Sequence, residues 1–205
     1  SCRETSLMKL NPKYIQRFAD ALIPLMGLLL WDWSLYFILL FYFLDLLSAE
    51  IILHLKSKKT IAFQGATGLK STWLKWGITS FSFLLLSIVM IHFAVYFISS
   101  GIDFKIEALA FWNYEEMGIK QGYILLPLVF FVSYQQYKMT FLMAGRFRNA
   151  QLNFLWKKHI IPLILIIAFA GICLGISWFI QLPEALYVIG IIALSSLYKL
   201  RYNEA

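Results

Sequence analysis

Residues 160–180 read IIPLILIIAFAGICLGISWFI, 21 positions without a charged side chain. A bilayer core of about 30 Å is crossed by roughly 20 helical residues, so this stretch predicts a membrane-spanning helix. Working outward, further apolar runs lie at about 18–31, 33–55, 73–98, 123–144 and 185–198. The first and last are short and need flanking residues or local thinning of the bilayer to span. Composition points the same way. Of 205 residues, 60% are apolar and 14% charged, against roughly 45–50% and about 25% in soluble domains. Mean hydropathy is +0.72. The expected fold is all-α, a polytopic membrane helix bundle of about six transmembrane helices, forming a single integral membrane domain over 1–205.

Charge placement sets the expected orientation. With the amino terminus inside, 16 of the 18 basic residues fall on the inner side, and only Lys105 and Lys120 fall outside. Asp32, Asp103, Glu107, Glu115, Glu116 and Glu184 also fall outside. This distribution obeys the positive-inside rule and predicts both termini inside, in a bacterial inner (cytoplasmic) membrane. The net charge of +7 is therefore read as topology signals and lipid-headgroup contacts, not as a nucleic-acid footprint. The expected partners are the lipid bilayer and other membrane-protein subunits, with no nucleic acid.

Residues 1–7 differ in character from the rest of the chain, and Met8 reads as a natural start, so 1–7 are taken as an added or alternative-start leader. Two cysteines, Cys2 and Cys173, make no disulfide framework, and Cys173 in an apolar helix acts as a small hydrophobe. No Cys/His spacing suggests a metal, and no cofactor is expected. Two connections are amphipathic and suit an interfacial position: an outer segment at 101–121, with Phe104, Ile106, Leu109, Phe111 and Trp112 among acids, and an inner segment at 146–158. Trp31-Asp32-Trp33 reads as a tight outer turn at headgroup level.

Ionisable residues inside spans are functional candidates by default. Asp45 lies near the midpoint of the second apolar run, with Glu50 and His54 after it. Glu50 and His54 are four apart and share a helix face. Ser133 and Gln136 belong to a polar stripe on the fourth run, flanked by Lys138. Glu50 and Lys138 lie roughly 9 and 7 Å to the inner side of their helix centres, so their depths allow an ion pair, the alternative being that Lys138 snorkels to the inner headgroups. Asp45 is expected to bond Ser133 or Gln136. His159, after Trp156-Lys157-Lys158, is placed at inner headgroup level. His92 is read as a packing residue. Gly171 and Gly175 form a G-x-x-x-G motif, which lets another helix approach closely.

Leu22-Ile23-Pro24-Leu25-Met26-Gly27, then Trp33-Ser34-Leu35, then Tyr42-Phe43-Leu44-Asp45 resemble the opening of a prokaryotic multi-pass membrane family known only as a domain of unknown function. That family shows I-P-L-x-G, W-S and Y-W-x-E across its first two helices, and Asp45 stands where it has Glu. Gly145-Arg146-Phe147-Arg148, Lys158-His159 and the closing Tyr198-Lys199 are also similar. The resemblance implies a stand-alone bundle and singles out Asp45 and His159. It implies no activity.

Metalloprotease, serine-hydrolase and phosphate-loop signatures are absent from the sequence, which weighs against an enzyme. The leading expectation is an accessory or scaffold component of a membrane assembly. A second reading is a small transporter or proton-coupled channel using the Asp45, Glu50, Ser133, Gln136 and Lys138 cluster, against the favoured reading of these residues as a structural polar cluster that holds the second and fourth apolar helices together. A third is a lipid-modifying enzyme using His159.

Overall fold

The computed structural model describes residues 22, 24–31, 33–65, 68–99, 101–116 and 119–202. The leader 1–7, Cys2, the start of the first apolar run and Asp32 lie outside the described residues. The elements are α1 (24–30), α2 (Leu35–Gln64), α3 (Leu69–Ile98), α4 (Phe104–Asn113), β1 (Glu115–Glu116), β2 (Ile119–Lys120), α5 (Gln121–Tyr137), a π-helical segment (Lys138–Met143), a 3-10 turn (Arg146–Arg148), α6 (Leu152–Phe179) and α7 (Glu184–Tyr202). The fold is all-α apart from one antiparallel pairing of two-residue strands, Glu115 opposite Lys120 and Glu116 opposite Ile119.

Among the described residues three helices are long and apolar enough to cross a membrane: α2, α3 and α6. The apolar runs predict six. The start of the first run lies outside the described residues, and two of the other runs depart from a long regular helix. The regular helix of the fourth run is 17 residues long, contains Pro127 and gives way at Tyr137 to the π-helical segment. The closing helix is 19 residues, Glu184–Tyr202, and its last turn carries Lys199 and Arg201. The long helices also outrun their apolar runs. α2 continues nine residues past Leu55 through Lys56, Lys58 and Lys59, because lysine favours helix as well as most apolar residues do. α6 starts at Leu152, so residues 146–158 divide between the 3-10 turn and the first two turns of a long helix. Residues 101–121 hold α4 and both strands. Asp103 caps α4, its carboxylate accepting from the Lys105 and Ile106 amides at 2.9 and 3.1 Å, as an N-cap acid should.

The chain divides into two compact units, 1–38 with 183–205, and 39–182. In the first, the junction between α1 and α2 is tight. The Trp33 amide donates to the Gly27 carbonyl at 3.0 Å. The Ser34 hydroxyl accepts the Phe37 amide at 3.1 Å, capping α2. The Trp33 ring lies 4.7 Å from that of Phe37. Gly27 must be glycine here, because a Cβ would penetrate the Trp33 indole.

In the second unit, α3 and α6 pack along each other. The buried residues of α3 are Ser80, Leu84, Ser87, Ala94 and Val95, at helical spacing on one face. Ser80, Ser87 and Ala94 are small, which permits close helix approach. The buried face of α6 is Leu152, Trp156, Ile160, Leu163, Ala170 and Cys173. α2 contributes to two clusters. Ile52 packs with Tyr137 and Phe141. Leu53 packs with Leu152 and Trp156. Ser48 and Ser133 share a hydroxyl hydrogen bond at 3.0 Å, tying α2 to α5. His92 bonds its own helix through the Ile88 carbonyl at 2.9 Å and lays its ring 5.1 Å from Phe104, the packing role expected for it. In the G-x-x-x-G motif, Gly171 meets Met90 of α3, whereas Gly175 has open space around it.

Gly27→Ala is expected to destabilise the protein by about 1–3 kcal/mol through overpacking against Trp33. The check is a tryptophan-fluorescence melt in detergent, where an unchanged midpoint would show that the junction yields freely.

Candidate functional site

Glu50 is the carboxylate around which the second unit is built. It sits on α2 and is only 5% exposed. An ionised carboxylate so placed is tolerated only if donors surround it. Three side chains converge on it. The Ser80 hydroxyl of α3 donates to Oε2 at 2.7 Å. His159 Nε2 of α6 lies 2.6 Å from the same oxygen. His54 Nε2, one turn along α2, lies 3.3 Å from Oε1. This last approach is within ion-pair distance but is not aligned as a hydrogen bond, and Oε1 has no hydrogen-bond partner.

His54 is oriented by a fourth group. The Trp73 indole N–H of α3 points to His54 Nδ1 at 3.1 Å. An indole nitrogen only donates, so Nδ1 must be the acceptor and the imidazole proton belongs on Nε2, the side nearer Glu50. In this arrangement His54 Nε2 carries no lone pair for a metal. Among the described residues no group of three His, Cys, Asp or Glu side chains is arranged to hold one. The Trp73 and Trp156 rings stand edge-on to the imidazole at 5.8 and 5.1 Å. Gly77 makes room for it: a Cβ there would lie 3.1 Å from His54 Cε1.

Local sequence explains the convergence. Trp73, Gly77 and Ser80 follow i, i+4, i+7 spacing, one stripe of α3. Trp156 and His159 follow i, i+3 on α6, and Glu50 and His54 follow i, i+4 on α2. Pro162, three residues after His159, has no N–H to give to the Lys158 carbonyl, so α6 is locally loosened beside the site. Two further buried polar atoms, Ser57 Oγ and Trp156 Nε1, have no hydrogen-bond partner.

The residues singled out from sequence separate. Glu50 is central, but Lys138 is not its partner; Lys138 is exposed at the start of the π-helical segment. Depth alone does not decide this, because it does not say which face a residue occupies. Tyr137, not Lys138, is the residue turned toward α2. Ser133 bonds Ser48 rather than Asp45. Asp45 and Gln136 are exposed. Five residues rotate a helix by roughly 140° beyond a full turn, which carries Asp45 away from Glu50's face. His159 does not face outward: its side chain is 11% exposed and turned onto Glu50. Sequence reasoning misses Ser80 and Trp73 as partners. Their signal is the Trp73/Gly77/Ser80 stripe, which matters only once α3 is set beside α2.

No protein-family model, curated protein or solved structure matches the chain.

The site yields a stability prediction. His159→Ala leaves a buried carboxylate without its closest partner and should cost about 3 kcal/mol, against about 1 for Ser80→Ala. Replacing Glu50 and His159 together by Leu should cost less than the sum of the single changes. Chemical denaturation in detergent of the wild type, Glu50→Leu, His159→Leu and the double variant measures the coupling, and strict additivity would show that the two side chains do not interact.

Proposed function

We propose that the chain is an integral membrane protein whose helices form a rigid, non-catalytic scaffold within a membrane assembly. Membrane residence is supported by an inverted burial pattern. α3 buries Ser80 and Ser87 while exposing Phe81, Leu85, Val89 and Phe93. α2 buries Ser48, Glu50, Ser57 and Thr60. A helix in water does the reverse; one in lipid turns apolar side chains outward and joins its neighbours through small and polar residues. In this reading the first, fourth and last apolar runs span as well, giving six spans with both termini inside, in a cytoplasmic membrane.

The observation that carries the scaffold reading is the closure of the Glu50 cluster. Ser80, His159, His54 and Trp73 all belong to this chain, and together with Glu50 they tie α2, α3 and α6 to one another. Such a clasp suits a fixed frame that presents its outer faces to lipid and to partner subunits. A second reading, a proton-coupled carrier, is favoured by one feature: Glu50 Oε1 faces the Nε2 side of His54 without an aligned hydrogen bond, so a proton has somewhere to go.

One experiment separates them. The protein is extracted gently from its membrane for native mass spectrometry, and the purified chain is reconstituted in vesicles containing a pH-sensitive dye. The scaffold reading expects a stoichiometric protein partner and no acid-driven proton flux. A lone chain whose proton flux disappears in Glu50→Gln, with its fold intact, would replace it with the carrier. Orientation has its own check. Reporter fusions at either terminus should register the inner side, and a reporter inserted in 101–121 should register the outer side.

A further inference from the structure

His54 is held on two sides by groups that ask opposite things of it. Trp73 of α3 donates its indole N–H to Nδ1 at 3.1 Å. That contact needs a lone pair on Nδ1, and only the neutral ring has one. On the other side Nε2 lies 3.3 Å from Glu50 Oε1. This carboxylate oxygen has no hydrogen-bond partner, and a carboxylate attracts the charged ring. One side of the imidazole therefore selects the neutral form and the other favours the cation.

A proton added to His54 goes to the Nδ1 lone pair, because Nε2 already carries one. The N–H groups of Nδ1 and of the Trp73 indole would then face each other across 3.1 Å, and neither can accept. The Trp73 bond is lost, and the cation gains a charge-assisted attraction to Glu50. One proton enters from water and nothing leaves: a bond between α2 and α3 is exchanged for a contact within α2. The proton has access. The His54 side chain is 37% exposed, against 7% for Glu50. His54 also stands at the end of its apolar run, two residues before Lys56, where lipid gives way to headgroups and water. The titratable groups that face the pair are Glu50 on α2 and, behind it, His159 of α6, 2.6 Å from Glu50 Oε2. α3 presents Trp73, Gly77 and Ser80, and α6 also presents the Trp156 ring; none of these titrates. His159 bonds Glu50 rather than Trp73, so its own protonation leaves the indole bond in place.

We infer that His54 and Trp73 form an acid-sensitive latch between α2 and α3: neutral His54 closes it on Trp73, and protonated His54 releases Trp73 and is drawn to Glu50. Ser80 and His159 keep their hold on the other carboxylate oxygen, so the helices loosen locally without separating. The latch is independent of whether the chain serves as a scaffold or as a carrier.

The test uses the purified full chain in neutral detergent, with nitrogen-15 in the tryptophan indoles and histidine rings. Imidazole is the side-chain group that ordinarily changes charge between about pH 8 and pH 5, so NMR spectra are recorded across that range. Trp73→Phe identifies the Trp73 resonance among the seven tryptophans. Its indole proton is expected at a hydrogen-bonded, downfield position at the alkaline end, and to move upfield in acid as the bond is lost. His54→Gln keeps a side-chain oxygen to accept the indole N–H and cannot titrate, so there the resonance is expected to stay in place. A Trp73 resonance that does not move in the wild type overturns the inference. So does an equal shift in His54→Gln, which would assign the effect to His159 or Glu50. Should His54→Gln fail to fold, the wild-type ring nitrogens decide. The His54 ring, identified by its response to Trp73→Phe, must carry its proton on Nε2 at the alkaline end and gain one on Nδ1 in step with the Trp73 shift. A ring that titrates out of step with Trp73 overturns the latch.

Discussion

A carboxylate taken out of water must be met by donors, and in this protein that requirement falls on Glu50. No single helix can satisfy it. α2 brings the acid and His54, α3 brings Ser80 and, through Trp73, the orientation of His54, and α6 brings His159. Each helix is apolar enough to sit anywhere in a bilayer by hydropathy alone. Lipid is as apolar as leucine, so apolar contact does not select one partner helix over another. The polar convergence gives the three helices a particular rotation and register. Small residues at Ser80, Ser87 and Ala94 then allow α3 and α6 to close on each other.

How much of this is legible in the sequence depends on the kind of signal each feature leaves. Helix content is legible because long apolar runs leave little alternative. The break in the fourth run is not, because hydropathy does not register Pro127 or the change to π-helix after Tyr137. The ends of α2 and α6 escape for a related reason: hydropathy marks where a helix is apolar, not where it stops. At the site, Glu50 and its i+4 neighbour His54 can be read from one helix. His159 stands out in the sequence but without its partner, and Lys138 pairs with Glu50 on depth only while its face is unknown. Ser80 and Trp73 leave only a stripe of spacing on α3, which has no meaning until its neighbour is known. Pairings within a helix are local facts of sequence. Pairings between helices are facts of rotation, and one chain read alone does not contain them.

The irregular backbone between α5 and α6 now has a physical role. The chain passes through π turns that carry Phe141, 5.8 Å from Lys56 Nζ, and reverses at the left-handed Gly145 into a turn whose end Gln64 of α2 holds. Departures from regular helix in this region serve geometry that an ideal helix could not supply.

The three helices joined at Glu50 have nearly equal lengths, 30, 30 and 28 residues, or about 42–45 Å each. That exceeds a hydrocarbon core of about 30 Å, so in a bilayer the helices must lean or project. Rods of matched length that are pinned at one level lean together. A change in bilayer thickness would then rotate the trio as a block, without sliding one rod past another. The clasp would keep its register in thin and thick membranes alike, which makes this part of the molecule tolerant of the lipid composition it meets.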